Sequence, residues 1–308
     1  MADAIEVRGL ERNFGDRRAL AGVSFAVRSG EMFGLLGPNG GGKTTLFRIL
    51  ATLLSPTAGT ARIEGIDVEG DAARVRGRIG VVFQSTSTDK KMTAMENMLL
   101  QGAMYGLSGE PLRSRASVLL ARFGVLDRAN DRCEHLSGGL RRRVEIAKGL
   151  LHGPAVLLLD EPSAGLDVGA RRDLREVLAG LRQDGTTVLL TTHFMEEAAV
   201  CDRVAILDLG RVVALGRPDA LCAESGTDVI SVRTREPERF RAAVAARFGG
   251  TVTVVEGAVR IERSRGHEFV PQLVESFPGQ VDAVTVARPT LEDVFIRRTG
   301  RAFAEASA

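Results

Sequence analysis

The run Gly37-Pro38-Asn39-Gly40-Gly41-Gly42-Lys43-Thr44 has the residue types that cradle phosphate. It fits G-x-x-x-x-G-K-[ST] and stands between an apolar run, Met32–Leu36, and a helical pattern, Leu46–Leu53. Glycines let the backbone wrap an anion with its N–H groups turned inward. A helix that begins there turns its positive end toward the same anion. Lys43 would bring a mobile charge to the β- and γ-phosphates, and the Thr44 hydroxyl suits Mg²⁺. Thr45 is grouped with these nucleotide-contacting residues. Only four of the 41 basic residues are lysine (Lys43, Lys90, Lys91 and Lys148). A lysine kept in such an arginine-rich chain is expected where chemistry asks for it. The bland alternative is a glycine-rich turn before a helix, and by itself the run says only that a nucleoside triphosphate is bound.

Two acids extend that chemistry. The apolar run Ala155–Leu159 ends in Asp160-Glu161. A carboxylate leaving a buried strand beside a phosphate loop can hold Mg²⁺, and its neighbour, pointing elsewhere, can polarise an attacking water. An acidic solvated turn is the alternative. Leu136-Ser137-Gly138-Gly139 then opens a helical pattern, Leu140–Leu151, with Ser137 suited to cap it. That is a second anion site, and one nucleotide cannot easily use both sites of one monomer.

With these motifs in this order, residues 1 to about 220 resemble the ABC transporter ATPases. The resemblance implies that Ser137, Gly138 and Gly139 of one subunit close on ATP held by the phosphate loop of another, in a head-to-tail dimer with two ATPs. It implies that Phe14 stacks on adenine, where a core or turn phenylalanine is the alternative. It places Gln84, after the apolar run Ile79–Phe83, on Mg²⁺ and water beside the membrane-domain contact. Asp167 of Ala164-Gly165-Leu166-Asp167 falls in the loop linking the two sites, His193 contacts the γ-phosphate, and Glu161 polarises the water. The chain departs from the family at Leu140, where Gln is common, and at Gly41, where Ala or Ser is common. Arg141-Arg142-Arg143 reads as a solvated helix face, or else as charges facing phosphate across the dimer.

Strand and helix patterns alternate up to about Leu215, which points to an α/β fold on a largely parallel sheet. Val23–Val27, Met32–Leu36, Val156–Leu159, Val188–Leu190 and Val204–Leu207 read as strands; Ala170–Leu181 and Met195–Val200 read as helices. The expected fold class is a P-loop NTPase cassette, residues 1–220, with a helical subdomain at about 93–150. A break at 217–227 precedes a small α+β domain, 227–300. Its order is strand (Val229–Val232), helix (Pro237–Phe248), two strands (Thr251–Val255, Ala258–Ile261), helix (His267–Phe277) and strand (Val281–Val286), a ferredoxin-like βαββαβ. A helix, Leu291–Arg298, follows, and 301–308 reads as a disordered tail.

The 308 residues carry a net charge of +2, so a strongly basic nucleic-acid binder is not expected. No run approaches the ~18 apolar residues of a membrane span. The N-terminus lacks a secretory pattern, and the three scattered cysteines read as reduced thiols. Lys90-Lys91-Met92-Thr93 with Glu96-Asn97, Met104-Tyr105-Gly106-Leu107, and Pro289-Thr290-Leu291-Glu292-Asp293-Val294-Phe295 resemble the ABC-2-type exporter ATPases, including daunorubicin-resistance-like exporters. That implies a separate multi-pass ABC-2 permease, a peripheral place on the cytoplasmic face of a bacterial membrane, and drug or antibiotic efflux. Export of lipid-linked polysaccharide or another cargo stays open, as does a non-transport ABC ATPase acting on ribosomes or DNA. The 3-cysteine pattern and the roughly fifty residues between Gln84 and Ser137 argue against the DNA-repair type.

Overall fold

The computed structural model describes residues 3–224, 228–255 and 257–303. The chain forms two compact units that divide between Val212 and Val213, inside the strand Arg211–Gly216. The sequence break at 217–227 lies just beyond that division.

The first unit is built on a parallel sheet. Its strands lie in the order Ile79–Val82, Val156–Asp160, Thr187–Thr192, Met32–Leu36 and Arg203–Asp208. Val156–Asp160 and Met32–Leu36 are buried throughout, as continuous apolar runs covered on both faces should be. An antiparallel sheet, in the order Arg17–Arg28, Asp3–Phe14, Ala58–Ile63 and Ile66–Asp67, forms a second layer. Phe25 of that layer stacks on Phe33 of the parallel sheet at 5.1 Å between ring centroids. Helix Lys43–Leu50 sends Leu46, Phe47, Ile49 and Leu50 into the core between the layers. It starts three residues earlier than the apolar pattern suggested, at the lysine of the phosphate loop itself. It stops at Leu50, and Thr52 adopts a left-handed φ of 59°.

Helices Ala94–Met104, Gly109–Arg122 and Gly138–Leu150 make up the helical part. Thr93 and Glu96 form a reciprocal capping box on the first of them. Asn97 ties the preceding loop down, donating to the carbonyls of Asp89 and Thr93 at 3.0 Å and accepting from the Asp89 N–H at 2.8 Å. Helix Val168–Gln183 is amphipathic and buries Leu174, Leu178 and Leu181.

The second unit contains a four-stranded antiparallel sheet in the order Thr251–Val255, Ala258–Arg263, Asp228–Arg233 and Ala283–Ala287. With helices Pro237–Phe248 and Gly266–Ser276 this is a βαββαβ unit with the ferredoxin-like strand order. Phe240, Val244, Phe269 and Leu273 from the helices pack on Ile230, Val232, Val259 and Ile261. Arg260 and Glu262 alternate with Val259 and Ile261 and so face the other way. There Arg260 pairs with Asp293, and Glu262 with Arg297 at 2.9 Å, which seats helix Leu291–Thr299 on that side. Ala302 and Phe303 do not belong to a disordered tail: both are buried, and Phe303 meets Phe295 edge-on at 5.0 Å. The remainder of the expected tail, 304–308, lies outside the described residues.

Gly80 shows how closely helix and sheet approach. A Cβ there would stand 2.1 Å from the Gly149 carbonyl oxygen on helix Gly138–Leu150. Gly80→Ala should therefore cost about 1–3 kcal/mol. In calorimetry this would read as a melting temperature lower by about 2–10 °C; an unchanged transition would mean that the helix can stand off from the sheet.

Candidate active site

Parallel strands in register deliver four loops to one edge of the sheet. Leu36 pairs with Thr192, Thr191 with Asp160, and Leu159 with Val82, so the strands end level. Beyond those ends, in spatial order, come Gln84, Asp160-Glu161, His193 and the phosphate loop. Ligands of open α/β sheets bind at such carboxyl ends.

The phosphate loop is shaped by its glycines. Gly42, at the helix N-terminus, has φ 106°, and Gly40 has φ 78°. A Cβ on Gly37 would stand 2.4 Å from the Leu207 carbonyl oxygen, which only glycine avoids. The departure at Gly41 has a local reason. A Cβ there would meet the carbonyl oxygens of both Leu207 and Pro38 at 3.1 Å. Lys43 is buried, and its Nζ donates to the carbonyls of Gly37 at 2.7 Å and Pro38 at 3.0 Å. Burial pushes its pKa down, with Glu161, whose Oε1 lies 3.5 Å away, pulling against that shift.

Glu161 is where the loops converge. Its Oε2 lies 3.1 Å from His193 Nδ1 and 3.5 Å from Gln84 Nε2. Its backbone sits at φ 43°, a left-handed conformation that costs a non-glycine residue about 1–3 kcal/mol. Thr191 holds it there: the Glu161 N–H points at the Thr191 carbonyl (3.1 Å) and the Thr191 hydroxyl oxygen (2.9 Å). The same hydroxyl donates to Asp160 Oδ1 at 2.6 Å and orients that carboxylate. Burial raises the Asp160 pKa, opposed next by the Thr191 hydrogen bond. Nothing in the sequence reading singled out Thr191, although two threonines closing a strand that begins Val188-Leu189-Leu190 were a visible signal.

Arg142 was the larger omission. It is not on a solvated helix face but buried within its own chain. Its guanidinium donates to the carbonyls of Phe83 (2.6 Å), Pro162 (2.7 Å), Asp160 (3.1 Å) and Glu161 (3.3 Å), and to Glu145 Oε2 (2.9 Å). Glu145 Oε1 accepts from the Ser87 N–H at 2.6 Å, and Lys148 Nζ donates to the Ser87 carbonyl at 2.9 Å. One face of helix Gly138–Leu150 thus grips the loop carrying Gln84 and the turn carrying Glu161. Arg143 pairs with Asp173 at 2.9 Å. Of the four lysines, Lys43 and Lys148 are buried and bonded to main-chain carbonyls, whereas Lys90 and Lys91 are exposed.

A cleft of about 310 Å³ opens over the phosphate loop, lined by Asn39, Gly40, Gly42, Lys43, Thr44, Thr45 and Glu161. Phe14 stands at its rim, 47% exposed, with the Arg12 guanidinium 4.7 Å over its ring. Arg17 and Arg48 line it as well, and neither was anticipated. Ser137, Gly138, Gly139 and Asp167 do not line this cleft. They gather in a second place: Gly138 lies against Leu166, Gly139 against Ala170, Ser137 caps its helix through the Leu140 N–H (3.2 Å), and Asp167 caps the next through the Ala170 N–H (2.8 Å).

The profile of the family described as ABC transporter matches residues 20–164. The chain is 41% identical to the daunorubicin resistance ATP-binding protein DrrA3 of Streptomyces coeruleorubidus, over 97% of each chain. The chain belongs to the ABC transporter ATPases. It is 39% identical to the Nod factor export ATP-binding protein I of Ralstonia nicotianae, over 96% of this chain and 94% of that one. Among solved structures it resembles the ATP-binding cassette MJ0796, a dimer in a post-hydrolysis state bound to ADP and Pi, at 29% identity and a TM-score of 0.62. That match covers 69% of this chain and 98% of the other. These relatives place the chain with the exporter ATPases, and the P-loop α/β fold expected from the sequence is the one observed.

Arg142→Ala should lower kcat by about 10²-fold, the scale of a 1 Å misplacement of a reacting group, while KM for ATP changes little. Arg142→Lys, which keeps the charge but loses the fork, should recover only part. Steady-state ATPase assays on both variants test this, and a normal kcat in Arg142→Ala would reduce Arg142 to a packing role.

Proposed function

We propose that this chain is the ATP-hydrolysing subunit of a bacterial exporter, acting as a head-to-tail dimer on a separate multi-pass permease of the ABC-2 type. The observation that carries the reading is the convergence of Lys43, His193 and Gln84 on the buried carboxylate of Glu161. In this reading the backbone of residues 37–43 and the Lys43 ammonium bind the β- and γ-phosphates, and Phe14 stacks on the base. Glu161 polarises the attacking water and accepts its proton, and His193 keeps carboxylate and water in line with the γ-phosphate. The Thr44 hydroxyl, the Asp160 carboxylate and the Gln84 amide are hard oxygen donors, with Asp160 already oriented by Thr191, and this set fits Mg²⁺. The ion would neutralise charge on the phosphate oxygens. Ser137, Gly138, Gly139 and Asp167 would complete the site of the second copy, because they stand apart from the cleft of their own chain.

Exposed Leu100, Met104 and Tyr105 on and after helix Ala94–Met104 support a permease contact on the helical part. Among the described residues no helix is long and apolar enough to cross a membrane. Drug or antibiotic efflux is the leading cargo class, given the 41% identity to a daunorubicin resistance protein. The Nod factor export relative supports export of a cargo other than a drug as the second reading.

Glu161→Gln should retain ATP binding, lose about 10²–10⁴-fold in turnover, and accumulate as an ATP-bound dimer in size-exclusion chromatography. Wild-type turnover would remove Glu161 from its role. A tagged copy drawn from detergent-solubilised native membranes should bring one stoichiometric multi-pass protein, identified by mass spectrometry; ribosomal or DNA-repair proteins in its place would overturn the exporter reading.

A further inference from the structure

The second unit ends its sheet on a strand that is built to meet itself. Ala283–Ala287 pairs on one side with Asp228–Arg233, in a register without bulges, and no described strand pairs with its other side. Edge strands are normally blunted by a lysine, a proline, an inward charge or a bulge. This one reads Ala-Val-Thr-Val-Ala and has none of these. Val284 and Val286 stand opposite Val232 and Ile230, on the helix-covered face. At the sheet edge Val286 is 37% exposed, although it belongs to the row of that core.

The strand is a palindrome about Thr285. Two copies paired antiparallel around a two-fold axis through Thr285 set Val284 against Val286 and Ala283 against Ala287, each twice. The same register carries past the strand and sets Asp282 against Arg288 at both ends. Both side chains are exposed, and neither makes an ion pair among the described residues. An isologous contact requires such self-complementarity, in shape and in charge. The opposite edge, Thr251–Val255, is equally uncharged but lacks it. Centred on Thr253, it would set Thr251 against Val255 and Val252 against Val254 and offer no charge pair.

We propose that Ala283–Ala287 is a self-association edge, on which a second copy of this chain adds its own Ala283–Ala287 to form a continuous eight-stranded sheet. A contact of one short strand pair is far smaller than a standard interface, so on its own it is weak. It gains when two copies are already held near each other, since the second contact is then intramolecular. It needs no nucleotide, and so stands apart from the ATP-driven closure described above.

The test uses the full-length protein without nucleotide, with Cys222→Ser to remove the one cysteine that is not buried. Paired strands hold facing Cα atoms about 4.5–5.5 Å apart, within reach of a disulfide. Under copper–phenanthroline oxidation Thr285→Cys should form the covalent dimer at least about tenfold faster than Thr253→Cys on the other edge. Adding Asp282→Arg should slow it by about tenfold, and Asp282→Arg with Arg288→Asp should restore it. Equal rates at the two edges, or a rate indifferent to the charge exchange, overturn the proposal.

Discussion

A buried carboxylate in a left-handed turn is an expensive thing to build, and the architecture of the first unit is organised around keeping one. Glu161 is only 8% exposed and sits at φ 43°. Its charge is tolerable because Lys43 and His193 flank it. Its backbone is tolerable because Thr191 holds the N–H and Arg142 holds the carbonyl. A glycine would take that φ freely but would bring no carboxylate. The strain therefore has to be held by neighbours contributed from one other strand and two helices.

Those neighbours arrive through strand order. Ile79–Val82, Val156–Asp160, Thr187–Thr192 and Met32–Leu36 lie side by side although they are far apart in the chain, and their C-terminal ends are level. Because side chains alternate along a strand, a one-residue slip would turn Thr191 away from Asp160 and send the loops past one another. The continuous apolar character of these strands makes them insoluble except between layers, and so fixes them in the core. Helix Gly138–Leu150 adds a second constraint. Through Arg142, Glu145 and Lys148 it holds the main chain of the Gln84 loop and of the Glu161 turn. Its N-terminus carries Ser137 and Gly138 to the surface. That exposed end and two loops of the chain's own site are thus tied to one helix.

Much of this was legible in the chain. The buried strands announced themselves as short apolar runs, because burial on both faces leaves no polar positions. The phosphate loop was legible because its glycines are obligatory, and the βαββαβ order of the second unit because its strands and helices alternate cleanly. The strand Asp3–Phe14 was not, since it is half exposed, carries Glu6, Arg8, Glu11 and Arg12, and shifts register repeatedly against its neighbour. Its period-2 signal is broken by those bulges. Arg142 was misread for a different reason. Three arginines in a row look like a solvated face, and four of the five acceptors of the middle one are main-chain carbonyls between 18 and 59 residues away, which no local pattern encodes.

The burial that defines the cleft also bears on its charged groups. Desolvation pushes the Lys43 ammonium toward its neutral form and the Asp160 carboxyl toward its neutral form, so both charged states are held at a cost in this structure. A phosphate beside Lys43 and a divalent cation beside Asp160 would each restore a partner of opposite sign, and the desolvation already incurred on folding would not be incurred again on binding. On the proposed reading a magnesium nucleotide would supply both charges together. Among the described residues Phe14 stands at the rim of the cleft, and the Ser137–Gly139 turn does not line it. On the proposed reading a second copy covers the cleft, and closure and catalysis become one event because Glu161 and the Ser137 turn are held by the same helix.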